Sequence, residues 1–138
     1  MKALIVDDDW EIRTALAASI KSAGCKQVDT AETGEDALGM AAQASYDLVT
    51  LDIQMSGVSG LDILSLLRTL LPWSVIAIIS GHTQAITGED LGGAADLVIS
   101  KPFSVGKIRD LAQLSKELAE KREAVRGLNE WPVTASGQ

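Results

Sequence analysis

Ala3-Leu4-Ile5-Val6-Asp7-Asp8-Asp9 opens the chain with four apolar residues that break off into three acids. A continuous apolar run of this length reads as a strand buried on both faces, the kind found in parallel sheets. Asp9 then starts a helical pattern, with Ile12, Leu16 and Ile20 four apart and a stop at Gly24. The alternation continues downstream. Residues 26–30 form a short, weak strand suited to a sheet edge. Thr33-Gly34-Glu35-Asp36 opens a second helix with Ala37, Leu38, Ala41 and Ala42 on one face. Residues 47–51 are strand-like and end at Asp52. The small residues of 56–60 form a loop before a helix striped by Leu61, Leu64, Leu67 and Leu71, which Pro72 stops. Residues 75–79 are the strongest buried strand, and 97–99 the fifth.

Between the last two strands the helical signal is poor, because Gly88, Gly92 and Gly93 each cost a helix about 1 kcal/mol against alanine. Residues 105–126 read as a long final helix. Its Ile108, Leu111, Leu118 and Val125 fall at heptad spacing, broken by Ser115 and Arg122, and residues 129–138 read as a loose tail. The pattern βαβαβαβαβα predicts a doubly wound α/β fold, a five-stranded parallel sheet with helices on both faces. Such sheets place their sites at the carboxyl ends of the strands.

Composition narrows the function classes. The chain has 138 residues, 46% hydrophobic and 22% charged, enough for one domain with its own core. Its net charge of −7 argues against broad binding of nucleic acid, which needs basic patches. Cys25 is the single cysteine, so no internal disulfide forms and a reducing compartment fits. One histidine, His82, cannot build a histidine-rich metal centre. The start lacks the shape of a signal peptide. The longest apolar region, 61–80, is interrupted by Asp62, Arg68 and Pro72 and does not read as a membrane span. A soluble cytoplasmic protein, without membrane contact, is the expectation.

The chemistry concentrates at the predicted strand ends. Asp7, Asp8 and Asp9 follow the first strand, Asp52 the third, Ser80 the fourth, and Lys101-Pro102 the fifth. Carboxylates crowded into one cleft repel one another and raise one another's pKa. A divalent cation relieves that, and hard oxygen ligands without thiolate or imidazole suit Mg²⁺. Lys101 adds a mobile cation and Ser80 a hydroxyl donor. Together these groups suit phosphoryl transfer onto a carboxylate nucleophile.

The constellation resembles the receiver domain of two-component response regulators. The resemblance rests on Leu4-Ile5-Val6-Asp7-Asp8-Asp9, Asp47-Leu48-Val49-Thr50-Leu51-Asp52-Ile53-Gln54-Met55, Ile78-Ile79-Ser80-Gly81 and Ser100-Lys101-Pro102-Phe103, and covers about residues 2–120. It implies strand order 2-1-3-4-5, with a receiver domain over 1–120 and a helix extension and loose tail over 121–138. It implies that Asp52 is the phosphoacceptor. Asp8 binds Mg²⁺ directly, Asp7 lies nearby and acts often through water, and the Gln54 backbone carbonyl completes the ligands. Ser80 is the switch hydroxyl, and Lys101, in a cis Lys101-Pro102 peptide, contacts the phosphoryl oxygens. The phosphoryl donor is a histidine kinase or phosphotransfer protein, the output is a downstream protein, and the domain modifies itself rather than turning over a substrate. No DNA-binding output domain is expected in this chain. It departs from the family where an aromatic switch residue is usual: Val98, or Leu97 on a shifted count, stands there.

Two other readings compete. Asp7-Asp8-Asp9 with Ser80 and Lys101 also suggests a haloacid-dehalogenase-type phosphatase with Asp7 as nucleophile. Trp10-Glu11 displaces the Thr or Val expected after that acid pair, and no acidic pair follows a strand after Lys101. A receiver-like binding module would lack an acid or the lysine, and neither is missing. A homodimer seam along 105–126 competes with a solvated face made by Lys116, Glu117, Glu120, Lys121, Arg122 and Glu123. Trp10 is read as packing at a helix start, Cys25 as a small buried filler, and His82 equally as a gate for water or an exposed loop residue.

Overall fold

The computed structural model describes residues 1–55, 60–81 and 86–132, so His82 and most of the 56–60 loop lie outside the described residues. Among the described residues ten elements alternate: β1 (Lys2–Val6), α1 (Trp10–Ser22), β2 (Gln27–Ala31), α2 (Gly34–Gln43), β3 (Leu48–Leu51), α3 (Gly60–Leu70), β4 (Val75–Ser80), α4 (Gly88–Leu91), β5 (Leu97–Ser100) and α5 (Val105–Arg126). The strands form one parallel sheet in the order β2-β1-β3-β4-β5. The weak second strand is indeed an edge.

Strand alternation splits the core in two. Leu4, Val6, Val49, Leu51, Ile76 and Ile78 pack against Ala37, Ala41, Ile63, Leu64 and Leu67 of α2 and α3. Ala3, Ile5, Leu48, Ala77, Ile79 and Ile99 pack against Leu16, Ile20, Ile108, Leu111 and Ala112 of α1 and α5. Both faces of each inner strand are buried, so the whole side-chain set, rather than one apolar face, defines the register. Among the described residues, side chains cap three helices: Asp9 accepts from the Glu11 and Ile12 N–H, Thr33 from Asp36 and Ser104 from Lys107.

Three sequence expectations need correction. Ala42 is exposed, and the buried face of α2 runs through Gly34, Ala37 and Ala41. Ser115 does not interrupt an outward seam. It is buried against the body, its hydroxyl donating to the Leu111 carbonyl at 2.7 Å, whereas Leu118 and Val125 are exposed. Arg122 is not part of a solvated face: its guanidinium donates to the Trp73 carbonyl at 2.6 Å and pairs with Asp47 at 3.3 Å. Arg68 ties the neighbouring connections. It donates to the Ala94 and Ser74 carbonyls and pairs with Asp96 at 2.8 Å, and Asp96 also accepts the Ile76 N–H.

Two outcomes follow from this packing. A Cβ at Gly60 would run into the backbone of Ile53, which directly follows Asp52. Backbone cannot give as a side chain can, so Gly60→Ala is expected to cost about 2–3 kcal/mol in urea unfolding. Tyr46, buried, donates its hydroxyl to Asp29 at 2.7 Å. Burial and that carboxylate push the phenol up to about 12 from 10. A raised folded pKa means that this group's contribution is intact below pH 10 and is lost as pH rises toward 12. Comparing unfolding midpoints of wild type and Tyr46→Phe between pH 9 and 12 should show this loss in the wild type alone.

Candidate functional site

The carboxyl ends of β1, β3, β4 and β5 meet at one edge, and the groups foreseen there converge. Lys101 Nζ lies 2.8 Å from Asp7 Oδ2 and 2.9 Å from Asp52 Oδ2. Asp7 and Asp52 are both buried, and Asp8 beside them is exposed. Carboxylate oxygens of Asp7, Asp8 and Asp52 all lie within 4.8 Å of one another. The Gln54 N–H donates to Asp52 Oδ1 at 2.8 Å, which orients the side chain of Asp52 from its own turn. Ser80 ends β4, fully buried, with its carbonyl accepting the Lys101 N–H at 2.9 Å. The Lys101-Pro102 peptide is cis, as the resemblance implies.

The electrostatics follow from burial. Desolvation raises the Asp7 carboxyl above its usual range, against the opposing hydrogen bonds from Lys101 and the Asp9 N–H. Burial by itself would lower Lys101, but its hydrogen bonds to Asp7 and Asp52, and their charges, outweigh it and raise its pKa. The lysine is therefore a fixed cation between two carboxylates. The donor set is all hard oxygen, without thiol or imidazole, and more acid is present than Lys101 alone balances. That chemistry fits a divalent ion of the magnesium class.

Register puts the two non-aromatic candidates on opposite faces of the sheet. Val98 pairs with Ile78 and Ser100 with Ser80, so Val98 shares the sheet face of Ser80. Leu97 turns to the opposite core, beside Phe103. Trp10 is not packed at its helix start but 68% exposed. Arg13 escaped the sequence reading altogether. It is buried, its Nη1 donating to the Asp7 carbonyl at 2.7 Å and its Nη2 reaching Glu32 at 3.4 Å. The signal was present: Arg13 stands three residues before Leu16, on the apolar face of α1.

Comparison with known proteins agrees with this geometry. The family profile of the response regulator receiver domain matches residues 3–113. A protein-glutamate methylesterase/protein-glutamine glutaminase from Archaeoglobus fulgidus is 35% identical over 125 residues, 88% of this chain and 35% of that protein. The cell cycle transcriptional regulator CtrA from Caulobacter vibrioides is 30% identical across 87% of this chain and 54% of its own length. The chain thus spans about a third to a half of these relatives. Among solved structures, response regulator TrrA from Thermotoga maritima, in complex with Mg²⁺ and BeF, is 33% identical with a TM-score of 0.73, covering 86% of this chain and 99% of that one. A Burkholderia pseudomallei response regulator with a phosphorylated aspartic acid and a calcium ion is 26% identical, with a TM-score of 0.73, over 96% of this chain and 76% of that one.

The lysine bridge gives a direct test. Lys101→Met leaves two buried carboxylates without their cation. Breaking such a pair costs several kcal/mol when it is fully dry, and water at the cleft mouth reduces this, so about 2 kcal/mol is expected at neutral pH in metal-free buffer. Adding Asp52→Asn to Lys101→Met should recover part of the loss, because one unpaired charge is removed. A double-mutant cycle by urea unfolding reads this coupling.

Proposed function

The chain belongs to the response regulator receiver domain family, and on that footing we propose that Asp52 accepts the phosphoryl group that switches it. The observation that carries the assignment is the Lys101 ammonium seated between Asp7 and Asp52, with the Asp8 carboxylate alongside. Asp52 is held from both sides, by Lys101 on Oδ2 and by the Gln54 N–H on Oδ1. It is therefore presented in one orientation, as a nucleophile requires.

The step is a displacement at phosphorus. An oxygen of Asp52 bonds to the phosphorus of a phosphohistidine on a kinase or phosphotransfer protein. The P–N bond breaks, its electron pair stays on the imidazole nitrogen, and that nitrogen takes a proton. The product is an acyl phosphate. Water attacking the same phosphorus later returns the carboxylate and inorganic phosphate, so the domain modifies and resets itself. Lys101 offers its charge to the phosphoryl oxygens. Asp7, Asp8, Asp52 and the Gln54 carbonyl would hold Mg²⁺, which when bound supplies further charge neutralisation. The Ser80 hydroxyl, at the end of β4, is the group proposed to follow the phosphoryl oxygen. Val98, on the same face, is the residue proposed to carry that movement to the surface. We place this exchange in the cytoplasm, with the receiver unit ending near residue 120, and the downstream partner as a protein. Among the described residues no helix is long and apolar enough to cross a membrane.

The phosphatase reading makes Asp7 the nucleophile. Asp7 and Asp52 are held alike, each by Lys101 on Oδ2 and by a main-chain N–H on Oδ1, so it is the sequence that disfavours Asp7: Trp10-Glu11 displaces the Thr or Val expected after the acid pair. Intact-protein mass after acetyl phosphate and Mg²⁺ separates the readings. One phosphoryl adduct is expected, absent in Asp52→Asn and absent with chelator. An adduct that survives in Asp52→Asn would sink the assignment, and sustained phosphate release without an adduct would favour the phosphatase.

A further inference from the structure

We propose that Arg13 is a positioning residue of the acid cluster: it clamps the main chain of Asp7 from the helix side, and so presents Asp8 to a divalent cation. The proposal rests on the reading of Asp7, Asp8 and Asp52 as an Mg²⁺ site.

Every polar group of Asp7 has a partner. Its N–H donates to the Ala31 carbonyl at 3.2 Å, and its carbonyl accepts from Arg13 Nη1 at 2.7 Å. Oδ1 accepts from the Asp9 N–H at 2.9 Å and Oδ2 from Lys101 Nζ at 2.8 Å. Asp7 is thus immobilised at four points, from β2, α1, its own turn and the residue that follows β5. Arg13 lies one helical turn beyond Asp9, its N–H bonded to the Asp9 carbonyl at 3.0 Å, and its side chain reaches back across that turn to Asp7. The two bonds close residues 7–13 into a ring. Asp8, between the clamped residues, is left exposed with its carboxylate beside those of Asp7 and Asp52.

The cost of burying a guanidinium asks for an explanation. Glu32 does not supply one. Its side chain is 72% exposed and stands 3.4 Å away, the geometry of a weak surface pair. The short bond to the Asp7 carbonyl is the contact that uses the buried end of Arg13.

Positioning and plain electrostatics predict opposite signs. A guanidinium near a cation site repels Mg²⁺, so removing it on charge grounds alone tightens binding. Removing it on positioning grounds loosens binding, because Asp7 and Asp8 lose their fixed turn. Outer groups that orient metal ligands are typically worth tenfold or more in affinity.

The test is Mg²⁺ titration calorimetry on the full chain, freed of metal by chelation, for wild type, Arg13→Met, Arg13→Lys, Glu32→Gln and Asp8→Asn. Arg13→Met is expected to weaken Mg²⁺ binding roughly tenfold, Arg13→Lys to fall between it and wild type, and Glu32→Gln to match wild type. In the metal-free state, amide exchange at Asp9 should quicken in Arg13→Met, since that N–H is held by Asp7. Unchanged or tighter Mg²⁺ binding by folded Arg13→Met overturns the proposal. Should Arg13→Met fail to fold, Arg13→Lys decides, and wild-type affinity there overturns it equally. Equal Mg²⁺ binding by wild type and Asp8→Asn would instead refute the metal-site reading beneath it.

Discussion

Repulsion among carboxylates is the constraint around which this fold is arranged. Asp7 and Asp52 are buried side by side, and like charges so close repel unless a cation stands between them. The cation comes from the far end of the chain, 94 residues from Asp7 and 49 from Asp52. Because the strands of this sheet all run one way, residues that follow β1, β3 and β5 arrive at the same edge however far apart they lie in sequence. The rest of the architecture keeps Lys101 in place. β5 pairs with β4 up to Ser80–Ser100, and the Ser80 carbonyl then takes the Lys101 N–H.

Much of this could be read from residue order. Strands β1, β3, β4 and β5 announce themselves as apolar runs, each leading to a residue that matters, Asp7, Asp52, Ser80 or Lys101, whereas β2 (Gln27–Ala31) does not. The weak helix after β4 was visible in its glycines, and α4 indeed spans only Gly88–Leu91, followed by Gly92 and Gly93 at φ of +54° and +74°. The arginines were not legible. Arg13, Arg68 and Arg122 all bond backbone carbonyls far from them in sequence or across a turn. Periodicity places a residue on a face, but a long charged side chain selects its partner from loops whose course no pattern predicts. Ser115 misled for a related reason. A polar residue within an apolar stripe looks like an interruption until its hydroxyl is seen bonding the carbonyl one turn back.

Val98 marks where this member departs from the family pattern. Register alone makes it, rather than Leu97, the β5 neighbour of the Ser80 face. Its side chain is aliphatic and partly exposed. A stiff β-branched residue has few rotamers to exchange, so the movement proposed for Ser80 meets no large swinging side chain at this position. Arg68 ties down the connection between α4 and β5, through the Ala94 carbonyl and Asp96.

The final helix has a mechanical consequence. Its 22 residues measure about 33 Å, while the five-residue strand β1 crosses the sheet in about 16 Å. Ile108, Leu111, Ala112 and Ser115 anchor the first half, and the Arg122 contacts brace it at the lower edge. The remainder is a stiff rod whose azimuth is locked to the sheet. Anything attached near Arg126 would inherit that azimuth, and each residue inserted ahead of it would rotate the attachment by about 100°. Length changes of a whole number of turns would preserve the heading, while those of half a turn would reverse it. The rod therefore carries angular phase, and a partner fixed to it would sense rotation of the domain as well as proximity.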